Sequence, residues 1–358
     1  MCGARVGVRP LLRRDGPLRH EQVGKSGQGK EKIRYANGDE FEGPTQWAGN
    51  QFSPQGLGTY LVAATGALYE GTFKDGQLEG QGSVTMPNGD KTVGRWEEGK
   101  CIGTMTYKNG DSYTGKIERG VRNGKGITTY VDGTVFDGTW VQDVQHGPGK
   151  LCFTNGDYIE GMWEAGSCRD GVGRRKCDDG SLFSGQMSAV SRHVLASESN
   201  AGHRGAQEID LVYTFFGKGE CQYRDGSRYE GEWRGNMQNG EGSILHPDGN
   251  FFTGVWTRGK PQRGSGTIHS DKGWVYEGGI LRSMRHGEGV CSWPELGVRY
   301  QGEFKNDRRS GRGISVIEKG FDGGYAAYDG MWEDDVRSGK GEMFWPCGSS
   351  YTGNLHLL

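Results

Sequence analysis

Hydrophobic and polar residues alternate along most of this chain, and glycines interrupt the alternation at regular intervals. The recurring motif is an aromatic residue, a polar residue, a glycine, any residue and a second aromatic residue, as in residues 229–233, Tyr-Glu-Gly-Glu-Trp. A period of two places both aromatic residues and the glycine on one face of a β-strand. Strong copies begin at Tyr69, Phe136, Ile159, Tyr229, Phe252 and Tyr328, and weaker copies begin at Phe41, Thr92, Tyr113, Phe183, Tyr276, Tyr300 and Tyr351. The pattern predicts a long series of strands, each apolar on one face and solvated on the other.

Two further signals recur in phase with the motif, whose copies are mostly 23 or 24 residues apart. A Gly-x-Gly sequence, degraded to Cys-Ile-Gly at residues 101–103, opens each unit, and an Asn-Gly or Asp-Gly pair lies between it and the motif. Asn-Gly is a strong signal for a type I′ hairpin turn, because both central residues of that turn need positive φ. Each unit is therefore predicted to be a first strand that starts at Gly-x-Gly, a tight turn, and a second strand that carries the motif. The predicted inward positions of the first strands include Met105, Tyr107, Leu151, Phe153, Cys221, Tyr223, Met343 and Trp345.

Composition decides how such strands are assembled. With 67 glycines in 358 residues and only 33% hydrophobic residues, the chain cannot fill one thick globular core. Stacked copies of a small unit can bury a thin continuous core instead. The predicted fold class is all-β, an elongated single-sheet array of about 13–14 stacked antiparallel β-hairpins.

Breaks in the pattern give the predicted domain organisation. Residues 1–26 precede the motifs and form a basic, disordered tail, and residues 27–187 form an N-terminal repeat array. Residues 188–211 have lost the aromatic residues and the turn signal, so they are either a decayed repeat or a surface loop. Residues 212–358 form a C-terminal repeat array. Motif steps of 28 residues, at Phe41 to Tyr69 and at Tyr300 to Tyr328, predict lengthened hairpin loops.

The repeat resembles a known one. Residues 229–235, followed by Gly240-Glu241-Gly242, are similar to the MORN (membrane occupation and recognition nexus) repeat, with one extra residue before Gly-x-Gly. The resemblance covers residue 27 to the C-terminus. It implies stacked hairpins with an aromatic-lined groove, and scaffolding roles at membranes and in cytoskeletal structures, including the cilium or flagellum.

The motif aromatic residues have two readings. They are the core that stabilises a one-layer sheet, or the lining of an open groove that binds a helix or peptide of a protein partner. We favour the core for any single ring and binding for the groove as a whole. The groove candidates are Tyr69, Phe73, Trp96, Tyr113, Phe136, Trp140, Trp163, Tyr229, Trp233, Phe252, Trp256, Tyr276, Tyr300, Phe304, Tyr328 and Trp332.

Catalytic chemistry is not indicated. The Gly-x-Gly copies are followed by no amphipathic helix, as a dinucleotide-binding fingerprint requires, and the eight cysteines and eight histidines show no standard zinc spacing. A formal net charge of −2 gives no general attraction to nucleic acid. We expect a non-enzymatic protein with no cofactor and no metal. The absence of C-x-x-C pairs and of an export signal predicts the cytoplasm, at the cytoskeleton, axoneme or cell cortex.

Anionic lipid is the alternative partner. The basic tail carries Arg5, Arg9, Arg13, Arg14, Arg19 and Lys25, which suit weak contact with an acidic membrane surface. Acidic residues at outward positions of the repeats (Glu70, Asp137, Glu160, Glu230, Glu277 and Asp329) oppose such a contact along the array. Lipid binding therefore ranks below protein scaffolding.

The last motif raises the question of association. It begins at Tyr351 and is followed closely by Leu355, Leu357 and Leu358. An unpaired edge strand is a template for another chain, and a two-fold contact buries two such edges at once. We predict a homodimer through the C-terminal repeats, with these four residues at the contact. The alternative is a tail that folds back as a private cap.

Overall fold

Strands dominate this protein. A computed structural model describes residues 21–23, 32–48, 51–191, 211–317 and 327–355, and these contain 29 strands and no helix. The predicted all-β fold class is confirmed. Accordingly, the described ranges hold no helix long and apolar enough to cross a membrane.

The strands follow one another at short intervals. Those up to the middle of the chain are β1 (Glu21–Val23), β2 (Lys32–Arg34), β3 (Glu40–Glu42), β4 (Thr45–Ala48), β5 (Gln51–Pro54), β6 (Gly56–Val62), β7 (Ala67–Lys74), β8 (Gln77–Thr85), β9 (Lys91–Glu97), β10 (Lys100–Thr106), β11 (Ser112–Glu118), β12 (Val121–Thr129), β13 (Val135–Val141), β14 (Val144–Cys152), β15 (Tyr158–Glu164), β16 (Ser167–Lys176) and β17 (Leu182–Ser191). The others are β18 (Leu211–Gln222), β19 (Arg228–Arg234), β20 (Met237–Leu245), β21 (Phe251–Thr257), β22 (Lys260–His269), β23 (Val275–Leu281), β24 (Met284–Trp293), β25 (Val298–Lys305), β26 (Arg308–Ile317), β27 (Ala327–Glu333), β28 (Val336–Phe344) and β29 (Ser350–Leu355).

By their internal contacts, the residues form two units. The described residues within 1–173 and 188–213 belong to the first unit, and those within 174–187 and 214–358 belong to the second. In the first unit, β6 to β14 each pair antiparallel with the next strand in the chain. In the second, β18 to β28 do the same. Each unit is thus the predicted series of consecutive antiparallel hairpins.

The structure also bears on the breaks in the pattern. Pairing begins at β1, which is antiparallel to β2 and lies inside the segment assigned to the basic tail. The rest of residues 1–26, apart from this strand, and residues 192–210 of the decayed segment lie outside the described residues. The long step after Phe41 contains the separate hairpin β4–β5, in which Trp47 and Phe52 pack edge to face with ring centroids 4.9 Å apart.

The type I′ turns occur at a different place from the predicted one. They join each motif strand to the first strand of the next unit, as at Asp75 (φ 49°) and Gly76 (φ 76°). The Asn-Gly pairs lie instead in longer loops such as residues 107–111, where only Gly110 has positive φ. There the side chain of Asn109 accepts a hydrogen bond from the Asp111 N–H at 3.0 Å, a local Asx interaction that the turn prediction overlooked.

A second correction follows from the turns. The first strand of a unit begins directly after the two-residue turn, three residues before Gly-x-Gly, as at Gln77 and Val121. A β-bulge then brings the next glycines into register, for example between Gly138 and Trp140. Of the predicted inward positions, Tyr107, Phe153, Tyr223 and Trp345 lie beyond the strand ends, in the loops.

One repeat lacks the bulge. The pair β9–β10 keeps a continuous register from Lys91–Thr106 to Glu97–Lys100, with no shift. Every other turn-linked pair whose register is described, from β7–β8 to β27–β28, contains a register shift. The degraded Cys-Ile-Gly sequence therefore marks a shortened first strand that needs no bulge.

Arginine and aspartate side chains form hydrogen bonds between some successive repeats. At three turns the second position is aspartate instead of glycine, namely Asp143 (φ 68°), Asp307 (φ 70°) and Asp335 (φ 69°). The Asp143 carboxylate accepts the N–H of Arg122 at 2.8 Å, and the Arg122 guanidinium donates to the Asp143 carbonyl at 3.0 Å. The same guanidinium lies 3.7 Å above the Trp140 ring. We call this arrangement the Arg–Asp clamp, and it recurs in Arg285–Asp307 and Arg309–Asp335.

The clamp gives a first testable expectation. Asp143→Ala is expected to lower the free energy of unfolding by ~2–4 kcal/mol, because a charge-assisted hydrogen bond is lost and alanine is strained at positive φ. Asp143→Asn should cost less, since asparagine can accept the same bond and tolerates this conformation. Urea unfolding followed by tryptophan fluorescence measures both. Glu98→Ala, at a turn position with φ 48°, is the control for strain, and an equal loss in the control would refute the clamp.

Candidate partner-binding faces

All sixteen predicted groove residues lie on one face of their strands and are buried. Their exposed fractions run from 0% at Tyr113 and Tyr229 to 7% at Trp233. A partner cannot reach rings that are covered to this degree without displacing other side chains. The structure therefore places these residues in the core, which is the first of the two readings above, and their direct use by a partner stays a prediction.

The rings pack against one another across the repeats. Phe136 contacts Trp140 of its own motif and Trp163 of the next, with ring centroids 5.1 Å apart in each case and planes at 82° and 83°. Tyr229 has the same relation to Trp233 and Trp256, at 5.2 Å. Edge-to-face contacts at these distances are favourable beyond the area that they bury. The motif therefore builds a ring layer that continues from one repeat to the next.

Glycine makes room for this layer. The motif glycine pairs with a glycine of the Gly-x-Gly sequence on the neighbouring strand, as Gly138 pairs with Gly149, and the Phe136 ring lies over both. A Cβ on Gly149 would lie 2.6 Å from Cζ of Phe136, and one on Gly138 would lie 2.7 Å from the same atom. The space beside the motif glycine is thus filled by the first aromatic residue of the same motif, and not by a ring of a neighbouring hairpin.

Polar atoms of the ring layer bond to nearby carbonyls. The Tyr229 hydroxyl donates to the carbonyl of Glu232 at 3.0 Å, the residue at the β-bulge between Gly231 and Trp233. Burial raises the pKa of this hydroxyl to about 12, so it stays protonated and keeps its donor. The indole N–H of Trp256 donates to the carbonyl of Gly242 at 3.0 Å. These bonds satisfy their donors from within the ring layer, whereas the indole N–H of Trp140 is buried without a hydrogen-bond partner among the described residues.

Further side chains cover the rings from the solvent side. The guanidinium of Arg309 lies 4.2 Å above the Trp332 ring, and that of Arg285 lies 5.2 Å from the centre of the Phe304 ring. In another repeat the amide of Gln238 donates to the hydroxyl of Tyr223 at 2.6 Å. These residues are half-buried and belong to the loops and to the first strands. They close the aromatic face, which the motif alone would leave open.

The opposite face of the strands is where side chains meet solvent. In the first unit, strands β9 to β12 expose an area that we call the outer patch, made of Val93, Arg95, Ile102, Lys116, Lys125 and Ile127. Ile102 is 72% exposed, and Val93 and Ile127 are 48% and 44% exposed. The three cations of the patch take part in none of the ion pairs found among the described residues. In the sequence, these residues differ from other repeats only in that apolar residues occupy positions expected to be polar.

The outer face of the second unit has a different character. Carboxylates stand opposite one another in neighbouring strands, as Glu288 opposite Glu303 and Asp329 opposite Glu342. Like charges at directly opposite positions destabilise a sheet. Some of them are balanced, since Arg312 lies 3.5 Å from Asp329. The predicted outward positions Glu70, Asp137, Glu160, Glu230 and Glu277 are all exposed, and Asp329 is partly exposed.

Cysteines contribute to packing. Burial raises the pKa of Cys101, Cys168 and Cys221 to about 11. Their thiols are therefore protonated at neutral pH and lack the thiolate character that metal binding and nucleophilic attack need. Within the described ranges, no group of three or more His, Cys, Asp or Glu residues could hold a metal ion.

The predicted dimer edge is only partly visible. Tyr351 is 48% exposed in β29, which pairs with β28, and Leu355 is the last residue of that strand. Leu357 and Leu358 lie outside the described residues. The homodimer stays a prediction.

The repeats have recognisable relatives. The sequence profile of the MORN repeat matches residues 69–91, 113–135, 136–158, 215–228, 229–251, 276–297, 300–320 and 328–350. The chain is 31% identical to alsin of Homo sapiens and of Mus musculus over 151 residues, which is 39% of this chain and 9% of alsin. It is 32% identical to MORN repeat-containing protein 3 of Xenopus laevis over 80 residues, or 22% of this chain and 34% of that protein. The chain thus spans less than half of the length of either relative.

Solved structures give weaker likenesses. The TCP10 domain of Danio rerio CPAP aligns with a TM-score of 0.30 and 14% identity, over 67% of this chain and 95% of that one. The TCP domain of Drosophila melanogaster SAS-4, in complex with a proline-rich motif of Ana2, aligns with a TM-score of 0.25 and 16% identity, over 49% and 85%. At these TM-scores neither likeness bears on function.

Proposed function

The chain belongs to the MORN repeat family, and on that premise we propose that it is a non-catalytic scaffold that binds protein partners through the outer faces of its sheets. Its setting would be a cytoskeletal, ciliary or flagellar, or membrane-associated assembly in the cytoplasm. The repeats hold a row of strands in fixed register, and a scaffold needs surfaces of fixed geometry. Catalysis has no part in this proposal.

One observation carries the proposal: exposed apolar and unpaired cationic side chains share the outer patch, while the aromatic face is closed. Scattered apolar residues on a surface need no explanation. A group of them on adjacent strands, beside cations without an ion-pair partner, is the chemistry of a contact surface. Binding is therefore assigned to the outer face, in place of the aromatic groove that the sequence suggested.

The two units support contact with more than one kind of partner. The outer patch of the first unit combines Ile102 with Arg95 and Lys116, whereas the second unit presents Glu288 beside Glu303. Complementary charge steers encounter and excludes wrong partners. A scaffold with a basic apolar face in one unit and an acidic face in the other would select partners of opposite charge.

Anionic lipid is the competing function. Its sequence basis, the basic segment of residues 1–26, lies mainly outside the described residues. On the outer face the acidic positions of the repeats oppose an anionic surface, as at Glu160 and Glu230. The cations of the outer patch do not oppose it, so vesicles belong among the probes for that patch.

Site-specific crosslinking in the native cell tests the scaffold. A photoreactive benzoylphenylalanine is placed at Thr106, beside the outer patch, at Thr253, on the outer face of the second unit, or at Arg119, in a turn; all three are exposed. We expect discrete protein adducts from Thr106 or Thr253 and none from Arg119. Adducts from none of the three positions, or equal adducts from Arg119, would refute binding through the outer faces.

A further inference from the structure

We propose that the outer patch of the first unit binds an acidic segment of a partner protein, one that places apolar side chains between carboxylates. This inference rests on the proposed scaffold function and names the chemistry of one of its partners. It commits the patch to a protein segment, and an anionic membrane is treated as a separate outcome of the test.

The register of the strands fixes the arrangement of the patch. Ile102 lies directly opposite Arg95 on one side and Lys116 on the other. Because neighbouring strands are ~4.8 Å apart, the two cations flank the isoleucine across ~10 Å. In the adjacent row, Val93 and Ile127 are separated by Thr104 and Thr114, whose hydroxyls bond to each other at 3.0 Å. The middle of the patch therefore leaves few polar groups that a partner would have to satisfy.

The same repeat positions elsewhere show that the fold does not require this chemistry. Asp137, Lys150 and Glu160 occupy one row across β13 to β15, and Lys150 pairs with Glu160 at 3.2 Å. In the second unit, Glu230 and Glu232 occupy the positions of Thr114 and Lys116. At these positions the outer face is thus ion-paired or acidic, whereas around Ile102 it is apolar and carries cations that make no ion pair among the described residues.

A second, independent feature coincides with the patch. The pair β9–β10, which carries Val93, Arg95 and Ile102, has no bulge, unlike the other described motif-strand hairpins from β7–β8 to β27–β28. A bulge bends its strand and increases the local twist. Its absence keeps these side chains in straight rows, which suits a partner element that lies flat across them.

Nearby carboxylates limit the cationic area without cancelling it. Glu97 and Glu118 lie at the turn end of the same face, where each stands opposite Lys100. Glu118 also accepts a hydrogen bond from the Asn123 amide at 2.7 Å. Lys91 adds a cation at the other end of β9. The charge that remains over the centre of the patch is positive.

The spacing of the charged and apolar residues in the outer patch indicates which kind of partner segment fits it. A helix rises ~1.5 Å per residue, so carboxylates at positions i and i+7 are ~10.5 Å apart, close to the separation of Arg95 and Lys116. Apolar residues at i+3 and i+4 lie between them on the same helix face and would cover Ile102. An acidic amphipathic helix that crosses the strands therefore fits the patch.

A synthetic probe tests this chemistry on the full chain. The probe is a fluorescein-labelled 18-residue helical peptide with Glu at i and i+7 and Leu at i+3 and i+4, and its twin carries Lys in place of Glu. We expect saturable binding of the Glu peptide by fluorescence anisotropy, and little binding of the Lys peptide. The double variant Arg95→Glu/Lys116→Glu should weaken binding at least ten-fold, and Ile102→Thr, which keeps a β-branched side chain, should weaken it several-fold.

The matched control is Arg263→Glu/Lys340→Glu, two exposed cations on the outer face of the second unit, and it should leave the affinity within two-fold. Equal binding of the Lys peptide, an equal loss in the control, or no binding of the Glu peptide would overturn the proposal. Vesicles with 30% phosphatidylserine form the last arm: binding that depends on Arg95 and Lys116 while the peptide stays unbound would identify a membrane instead. Crosslinks from Thr253 combined with no peptide binding would remove this inference and leave the scaffold proposal intact.

Discussion

Trp163→Ala is expected to destabilise the first unit by ~3–5 kcal/mol, the range for removing a buried tryptophan side chain. Trp163 is 2% exposed, packs edge to face on Phe136 at 5.1 Å and donates its indole N–H to the carbonyl of Gly149 at 2.9 Å. The substitution removes the ring contact and leaves that carbonyl without its donor. Chemical unfolding followed by far-ultraviolet circular dichroism measures the loss.

The same experiment distinguishes a buried ring layer from an open groove that binds a partner. If Trp163 lined an open groove, the alanine variant would unfold like the wild type and lose only its partner. Ile102→Ala is the matched control, because it removes a large apolar side chain from an exposed strand position and should change stability by less than ~0.5 kcal/mol. A Trp163→Ala protein as stable as this control would contradict the buried ring layer.

Gly149→Ala should also be clearly destabilising, although it adds only one methyl group. The three nearest atoms to the new Cβ are Cζ and Cε2 of Phe136 at 2.6 and 2.9 Å and Cδ1 of Trp163 at 3.2 Å. Contacts this short force the rings out of their positions, and overpacking of this kind costs ~1–3 kcal/mol. The melting temperature of the full chain measures the effect.

Because all three of these atoms belong to side chains, a smaller ring-face residue should relieve the clash. We expect Phe136→Leu to be destabilising alone but to recover part of the loss when combined with Gly149→Ala. Gly138→Ala is the contrasting case, since its Cβ would also lie 2.8 Å from the backbone Cα atom of Gly149. Phe136→Leu should rescue it less well, and identical rescue at both glycines would mean that the ring is not what excludes the methyl group.

The strands and their buried faces were predictable because both are set by local alternation. A period of two fixes which side of a strand Tyr229 and Trp233 occupy, and glycine at position 231 marks where a ring can lie. The sequence could not show whether anything covers that face. Its covers, such as Arg309 over Trp332 and Gln238 bonded to Tyr223, come from other strands and loops. The open groove was inferred because these contacts are not local.

Turn type and the chemistry of the outer face were harder to predict from the sequence, for related reasons. Asn-Gly at residues 109–110 looks like a two-residue turn, but the Asn109 side chain stabilises a longer loop through its bond to Asp111. The cations of the outer patch are visible in the sequence, whereas their lack of partners depends on register. Most of the bulges shift that register by two residues, and the missing bulge at β9–β10 is evident in the sequence as a shorter spacing before Tyr113.

The Arg–Asp clamps also bear on how such an array can gain or lose units during evolution. At a glycine turn, as at Gly259, the N–H bonds only to a backbone carbonyl of the preceding unit, that of Gln238 at 2.9 Å, and any preceding unit can supply it. At an Arg–Asp clamp, an arginine such as Arg122 requires an aspartate in the repeat that follows. Duplication or deletion of a repeat is therefore tolerated at a glycine turn. At a turn with an Arg–Asp clamp, the two neighbouring repeats must be inherited together.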